Sequence, residues 1–78
     1  MGVEYKILFK VPSGYDPSNL SLKLPAQHGA QEVFSYVLER DGFYFVDHLV
    51  DKPLASIALR SLIDEALKLA DSIEITEP

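Results

Sequence analysis

With 78 residues, 47% of them hydrophobic, the chain is long enough for one small domain and too apolar to remain disordered. It has no cysteine, which excludes disulfide staples and thiolate metal sites, and 12 acidic against 7 basic residues give a net charge of −5. The basic residues are scattered among carboxylates, so the clustered Lys and Arg that a phosphate backbone rewards are missing, which argues against nucleic acid as a ligand.

No apolar run approaches the roughly 18 residues of a membrane-spanning helix. Met1 to Val11 alternates charged and apolar residues where a secretory leader would show a basic start and an apolar block. The expectation is a single domain over 1–78, without linker or second domain, placed in the cytoplasm. Its acidic surface would serve solubility or draw a basic partner.

In chain order, Val3, Tyr5, Ile7, Phe9 and Val11 point one way while Glu4, Lys6, Leu8 and Lys10 point the other, the period-2 pattern of a half-buried strand. Pro12-Ser13-Gly14 ends it. After the loop Tyr15 to Asn19, the alternation of Leu20, Leu22 and Leu24 with Ser21 and Lys23 predicts a second short strand closed by Pro25. Ala26 to Ala30 is a polar loop holding His28. Its single glycine, like the isolated Gly14, cannot wrap a phosphate as a Gly-rich loop would.

Gln31 to Val50 predicts a hairpin, because Phe, Tyr and Val crowd both sides of Arg40-Asp41-Gly42. Two registers fit. A two-residue Asp41-Gly42 loop pairs Arg40 with Phe43 and Leu38 with Phe45. It gathers Phe34, Tyr36, Leu38, Phe43, Phe45 and Leu49 on one face, and Ser35, Val37, Glu39, Tyr44, Val46 and His48 on the other. A three-residue turn with a Gly bulge instead sets Val33, Val37, Phe43, Phe45 and Leu49 against Phe34, Tyr36, Leu38, Tyr44 and Val46. In both registers neither face is cleanly polar, and a sheet with two apolar faces needs cover on both.

Asp51 is placed to cap a helix and Pro53 fits its first turn. At 100° per residue Ala55, Ala58, Leu59, Leu62, Ala66, Leu69 and Ala70 form an apolar stripe, with Ser56, Arg60, Asp64, Lys68 and Asp71 opposite. Ile57 and Leu67 break the pattern. Ser72 to Thr76 alternates once more and predicts either a strand returning parallel beside the first or a frayed tail.

The expected architecture is therefore α+β: an antiparallel four-stranded sheet, joined or not by a fifth carboxy-terminal strand, with one long helix on one face, in the order β-β-β-β-α-(β). No residues assemble a catalytic set by spacing. Asp47 and His48 are consecutive in a strand and point apart, Ser35, Ser56 and Ser61 lack an activating His and acid, and Glu32 and Glu39 are seven apart. His28 and His48 lack the spacing of metal ligands, and no cofactor is implied. One helix covers one face, so the surplus apolar surface points to a protein partner or self-association through Val37, Tyr44, Val46 and His48, with Ile57 and Leu67 as further contacts. The alternative is a small-molecule cleft between helix and sheet, with Tyr15, Asp16 and His28 at its mouth.

Overall fold

A computed structural model describes residues 2–27, 29 and 31–78. Four strands form one antiparallel sheet: β1 (Val3–Leu8), β2 (Phe34–Glu39), β3 (Gly42–Asp47) and β4 (Glu74–Thr76), in the spatial order β2-β3-β1-β4. A single 18-residue helix, α1 (Lys52–Leu69), connects β3 to β4. The expected four strands and helix are present. The fourth strand, however, comes from the carboxy terminus and not from Leu20 to Leu24.

Leu20 and Leu22 lie in a 3-10 helix, Pro17–Lys23, and Leu24 is its extended C-cap. The local chemistry decides it. Asp16 caps the first turn, its carboxylate accepting from the Ser18 backbone N–H (2.9 Å) and the Ser18 hydroxyl (3.0 Å), and Pro17 supplies the fixed φ of a helix start. With about three residues per turn the leucines no longer share a face. Leu20 is buried and Leu22 is 83% exposed.

The hairpin adopts neither register anticipated from the turn residues. Glu39 pairs with Gly42, Leu38 with Phe43 and Val37 with Tyr44, so the loop is Arg40-Asp41. This pairing is offset by two residues from the Asp41-Gly42 register. Because side chains alternate with period 2, an offset of two preserves the faces. Phe34, Tyr36, Leu38, Phe43 and Phe45 lie together, but Leu49 does not join them: it leaves the sheet with φ +62° and is 60% exposed. Gly42 has φ +144°, and a Cβ there would collide with the Ile7 carbonyl oxygen, so only glycine permits β1 to close against this corner.

β1 pairs antiparallel with β3 on one side and with β4 on the other. β4 is thus antiparallel to β1, correcting the expected parallel return. It is parallel to β3, with β1 inserted between them. The crossover is made by α1, capped as expected by Asp51, whose carboxylate accepts from the Leu54 N–H (3.2 Å).

The inner face of the sheet carries the core. Ile7, Phe34, Phe43 and Phe45 are at most 2% exposed, and Phe9 packs on Phe43 with ring centroids 5.3 Å apart. The roof has two parts. α1 lies over β3 and β1 through Ala55, Ala58, Leu62 and Ala66, the centre of the expected stripe. The segment around the 3-10 helix shelters β2, with Leu20 buried and Leu24, Gln27, Phe34 and Tyr36 lining one cleft. All of this cover lies on one side.

Candidate interaction surface

The outer face of the sheet follows from the register. It holds Ser35, Val37 and Glu39 of β2, Tyr44 and Val46 of β3, Glu4, Lys6 and Leu8 of β1, and Glu74 and Thr76 of β4. No helix or loop among the described residues covers it. The surplus apolar area expected from the hairpin is smaller than the hairpin alone suggests, because β1 brings Glu4 and Lys6 to the same face. The Tyr44 hydroxyl donates to the Glu4 carboxylate and Lys6 stands 3.8 Å from Glu39. Only Val37 of the three hairpin residues is strongly exposed, at 52%, while Tyr44 and Val46 are half-buried by their neighbours. The hydrogen bond to Glu4 raises the Tyr44 pKa, so the hydroxyl stays protonated.

The six anticipated contact residues occupy three places. Val37, Tyr44 and Val46 are contiguous. His48, just past the end of β3, sits at the margin of that patch, with Nε2 3.2 Å from both Ser35 Oγ and Glu32 Oε1. Ile57 and Leu67 are exposed on α1, across the molecule from the outer face and about 80° apart around the helix axis. They do not extend the patch.

The Ser35, His48 and Glu32 grouping has the composition of a hydrolase triad, a juxtaposition that the chain spacing did not reveal. Its geometry differs. Both partners address the same nitrogen, whereas a working triad needs the acid on Nδ1 and the nucleophile on Nε2, and Glu32 is solvated. The cluster ties the start of β2 to the end of β3, alongside the bond from His48 N–H to the Val33 carbonyl (3.0 Å).

A second polar cluster joins α1 to the 3-10 segment. Glu65 is only 6% exposed, and its carboxylate accepts from the Tyr15 hydroxyl (2.7 Å) and from Lys23 Nζ (2.8 Å). Lys23, followed by Tyr15, holds the Glu65 pKa below the usual carboxylate range against the opposing effect of burial. Burial, and then the bond to Glu65, push the Tyr15 pKa up. A carboxylate so supplied with donors stays ionised and is a poor base. Sequence reasoning missed Glu65. The available signal was a charged residue at the border of the apolar stripe, beside Ala58 and one turn from Leu62.

One open cleft of about 230 Å³ is lined by Lys23 and Glu65 of this cluster with Ser61, Asp64 and Lys68, and another of about 210 Å³ by Ser21, Leu24, Pro25, Gln27, Phe34 and Tyr36. Tyr15 and Asp16, expected at a cleft mouth, line neither. Tyr15 holds Glu65 and Asp16 caps the 3-10 helix. His28 lies outside the described residues. Among the described residues no three His, Asp or Glu side chains stand close enough to hold a metal ion, and no helix is long and apolar enough to cross a membrane. Comparison of the chain with family models, with curated proteins and with solved structures finds no match.

Proposed function

We propose that this chain is a small acidic protein-interaction module, accessory, inhibitory or self-associating, working in the cytoplasm without catalysing a reaction. It binds through the outer face of the sheet or the adjoining edge. The observation that carries this reading is the one-sided cover: helix and 3-10 segment roof the inner face, and Val37, Tyr44 and Val46 remain on a face with no roof among the described residues. Glu4 and Glu39 rim that patch and would steer a basic surface toward it. The polar clusters support the same reading, because their donors and acceptors are spent on joining elements to one another.

Val46→Asp places a charge inside the patch without touching the core. Retention of partners on the immobilised chain, read beside its mass in solution, should fall at least about tenfold with Val46→Asp, and by a smaller factor with Tyr44→Ala, while the helical circular dichroism stays the same. Equal retention by wild type and both variants would remove the outer face from consideration.

A further inference from the structure

β2 is an edge strand, and its backbone groups divide in two. The Val33 carbonyl, just before β2, accepts from His48 N–H, which sets the phase: within β2 the odd-numbered residues turn their main-chain groups toward β3 and the even-numbered ones turn theirs outward. Phe34 confirms the phase. The Gln27 side-chain amide occupies it like a neighbouring strand, Oε1 accepting from Phe34 N–H (3.2 Å) and from Val33 N–H (2.6 Å) and Nε2 donating to the Phe34 carbonyl (3.2 Å). Tyr36 and Leu38 follow on the same edge. Among the described residues nothing bonds their outward N–H and C=O groups. The opposite edge of the sheet is the three-residue β4, too short to template much pairing.

We propose that a second copy of this chain pairs with this edge, two β2 strands running antiparallel about a two-fold axis at Val37 and joining two sheets into one. This pairing rests on the interaction-module reading and names a partner for the edge, distinct from the basic surface that the carboxylates of the outer face would draw. In the Val37-centred register Tyr36 of each copy faces Leu38 of the other, and each such pair exchanges the hydrogen bonds that are open in the single chain. The neighbouring register, centred on Tyr36, would set Leu38 against Phe34 and displace Gln27. The Val37-centred register brings only Arg40, beyond the end of β2, opposite Phe34, and a register centred on Leu38 would set Val37 against Glu39, so the Val37-centred one fits best.

Charge agrees with it. Glu39 comes opposite Ser35 of the second copy, whose hydroxyl is 3.2 Å from His48, so no carboxylate meets a carboxylate directly across the seam, and Lys6 already stands 3.8 Å from Glu39. Val37, 52% exposed in one chain, meets its own copy at the close non-hydrogen-bonded spacing. On the inner face, Leu38 of the second copy arrives beside Tyr36 at the mouth of the 210 Å³ cleft lined by Leu24, Pro25 and Phe34. A seam one strand long buries less than the roughly 1,200 Å² of a standard interface, so the dimer is weak. Each copy carries −5, so added salt strengthens it.

The chain has no cysteine of its own, which allows a direct test. Facing residues at the non-hydrogen-bonded position have Cα atoms about 4.5 Å apart, within disulfide reach. With copper–phenanthroline as oxidant, Val37→Cys should form a covalent dimer at least about tenfold faster than Ser35→Cys or Glu39→Cys alone, while a mixture of those two cross-links to each other. Sedimentation from about 10 µM to about 1 mM should show wild type rising from 8.7 kDa toward twice that mass, further at higher salt, and Val37→Lys staying monomeric with an unchanged fold. A wild-type monomer throughout, or a Val37→Cys variant that cross-links no faster than the controls, overturns the pairing. The broader module reading falls only if Val46→Asp also leaves partner retention unchanged, so the two failures are distinguishable.

Discussion

Glu65 shows how one side chain can decide where a segment lies. It occupies the helix flank that faces the 3-10 turn, and its two donors come from Tyr15 and Lys23, 50 and 42 residues away in the chain. Glu65→Ala removes the acceptor and leaves a half-buried tyrosine hydroxyl unpaired, at a cost of about 2 kcal/mol in chemical denaturation. The pH dependence has a definite sign. A carboxyl whose folded pKa is lowered contributes its full stabilisation above the ordinary value of 4.5 and loses it as pH falls through the lowered folded value. The stability gap between wild type and Glu65→Ala should accordingly be constant near neutrality and narrow below about pH 4.5. A gap that persisted unchanged in acid would show that Glu65 acts by packing alone. At the alkaline end the sign reverses: Tyr15, its pKa raised above 10.0, gives full stabilisation below that pH and loses it well above.

At the scale of elements, small residues and caps do the positioning. Ala55, Ala58 and Ala66 are at most 1% exposed, and their methyl groups allow α1 to lie close on β3 and β1 while Leu62 supplies the bulk. The start of α1 depends on Asp51. Because β3 ends at Asp47, only four residues separate strand from helix, and Leu49 must take a left-handed backbone, φ +62°, to make the turn. The Asp47 carboxylate accepts from the Leu49 N–H (2.8 Å) and holds that conformation. Asp51→Ala should lower stability by about 1 kcal/mol, read from the urea midpoint at constant slope. Leu49→Gly relieves the left-handed strain and should leave stability unchanged or raise it by about a few tenths of a kcal/mol, since the side chain it removes is exposed. A large loss from Leu49→Gly would indicate that this leucine packs against something the single chain does not contain.

For the molecule as a whole, the contrast between its two sides is the organising fact. Among the described residues the cover, α1 and the 3-10 segment, is on the inner face, and β4 closes the β1 edge with three pairs. Deleting residues 71–78 would reopen that edge and remove the half-buried Ile73 from the core margin. The expected loss is about 2 kcal/mol by area burial, with concentration-dependent aggregation visible in light scattering, because β1 would then present a long unpaired strand. By the proposed reading, the outer face is where a partner would bind without disturbing the core.

Much of this was legible in the chain. The alternation in Val3 to Phe9, the aromatic-rich runs around Asp41-Gly42 and the stripe from Ala55 to Ala70 are local periodicities, and local periodicity dictates strand or helix wherever one face must be buried. Asp51 as a cap was readable for the same reason. Other features were settled only by tertiary contact. Leu20 to Leu24 has a strand's alternation, yet Asp16, Pro17 and the anchor from Lys23 to Glu65 make all of it but Leu24 a 3-10 helix. The hairpin offset, the antiparallel run of β4 beside β1, the Gln27 clamp on β2 and the meeting of Ser35, His48 and Glu32 all join residues that are distant in sequence or depend on how two strands slide past each other. Hydrophobic pattern determines which face of an element is buried. Which elements end as neighbours, and which edge is left open, depends on the packing of the whole.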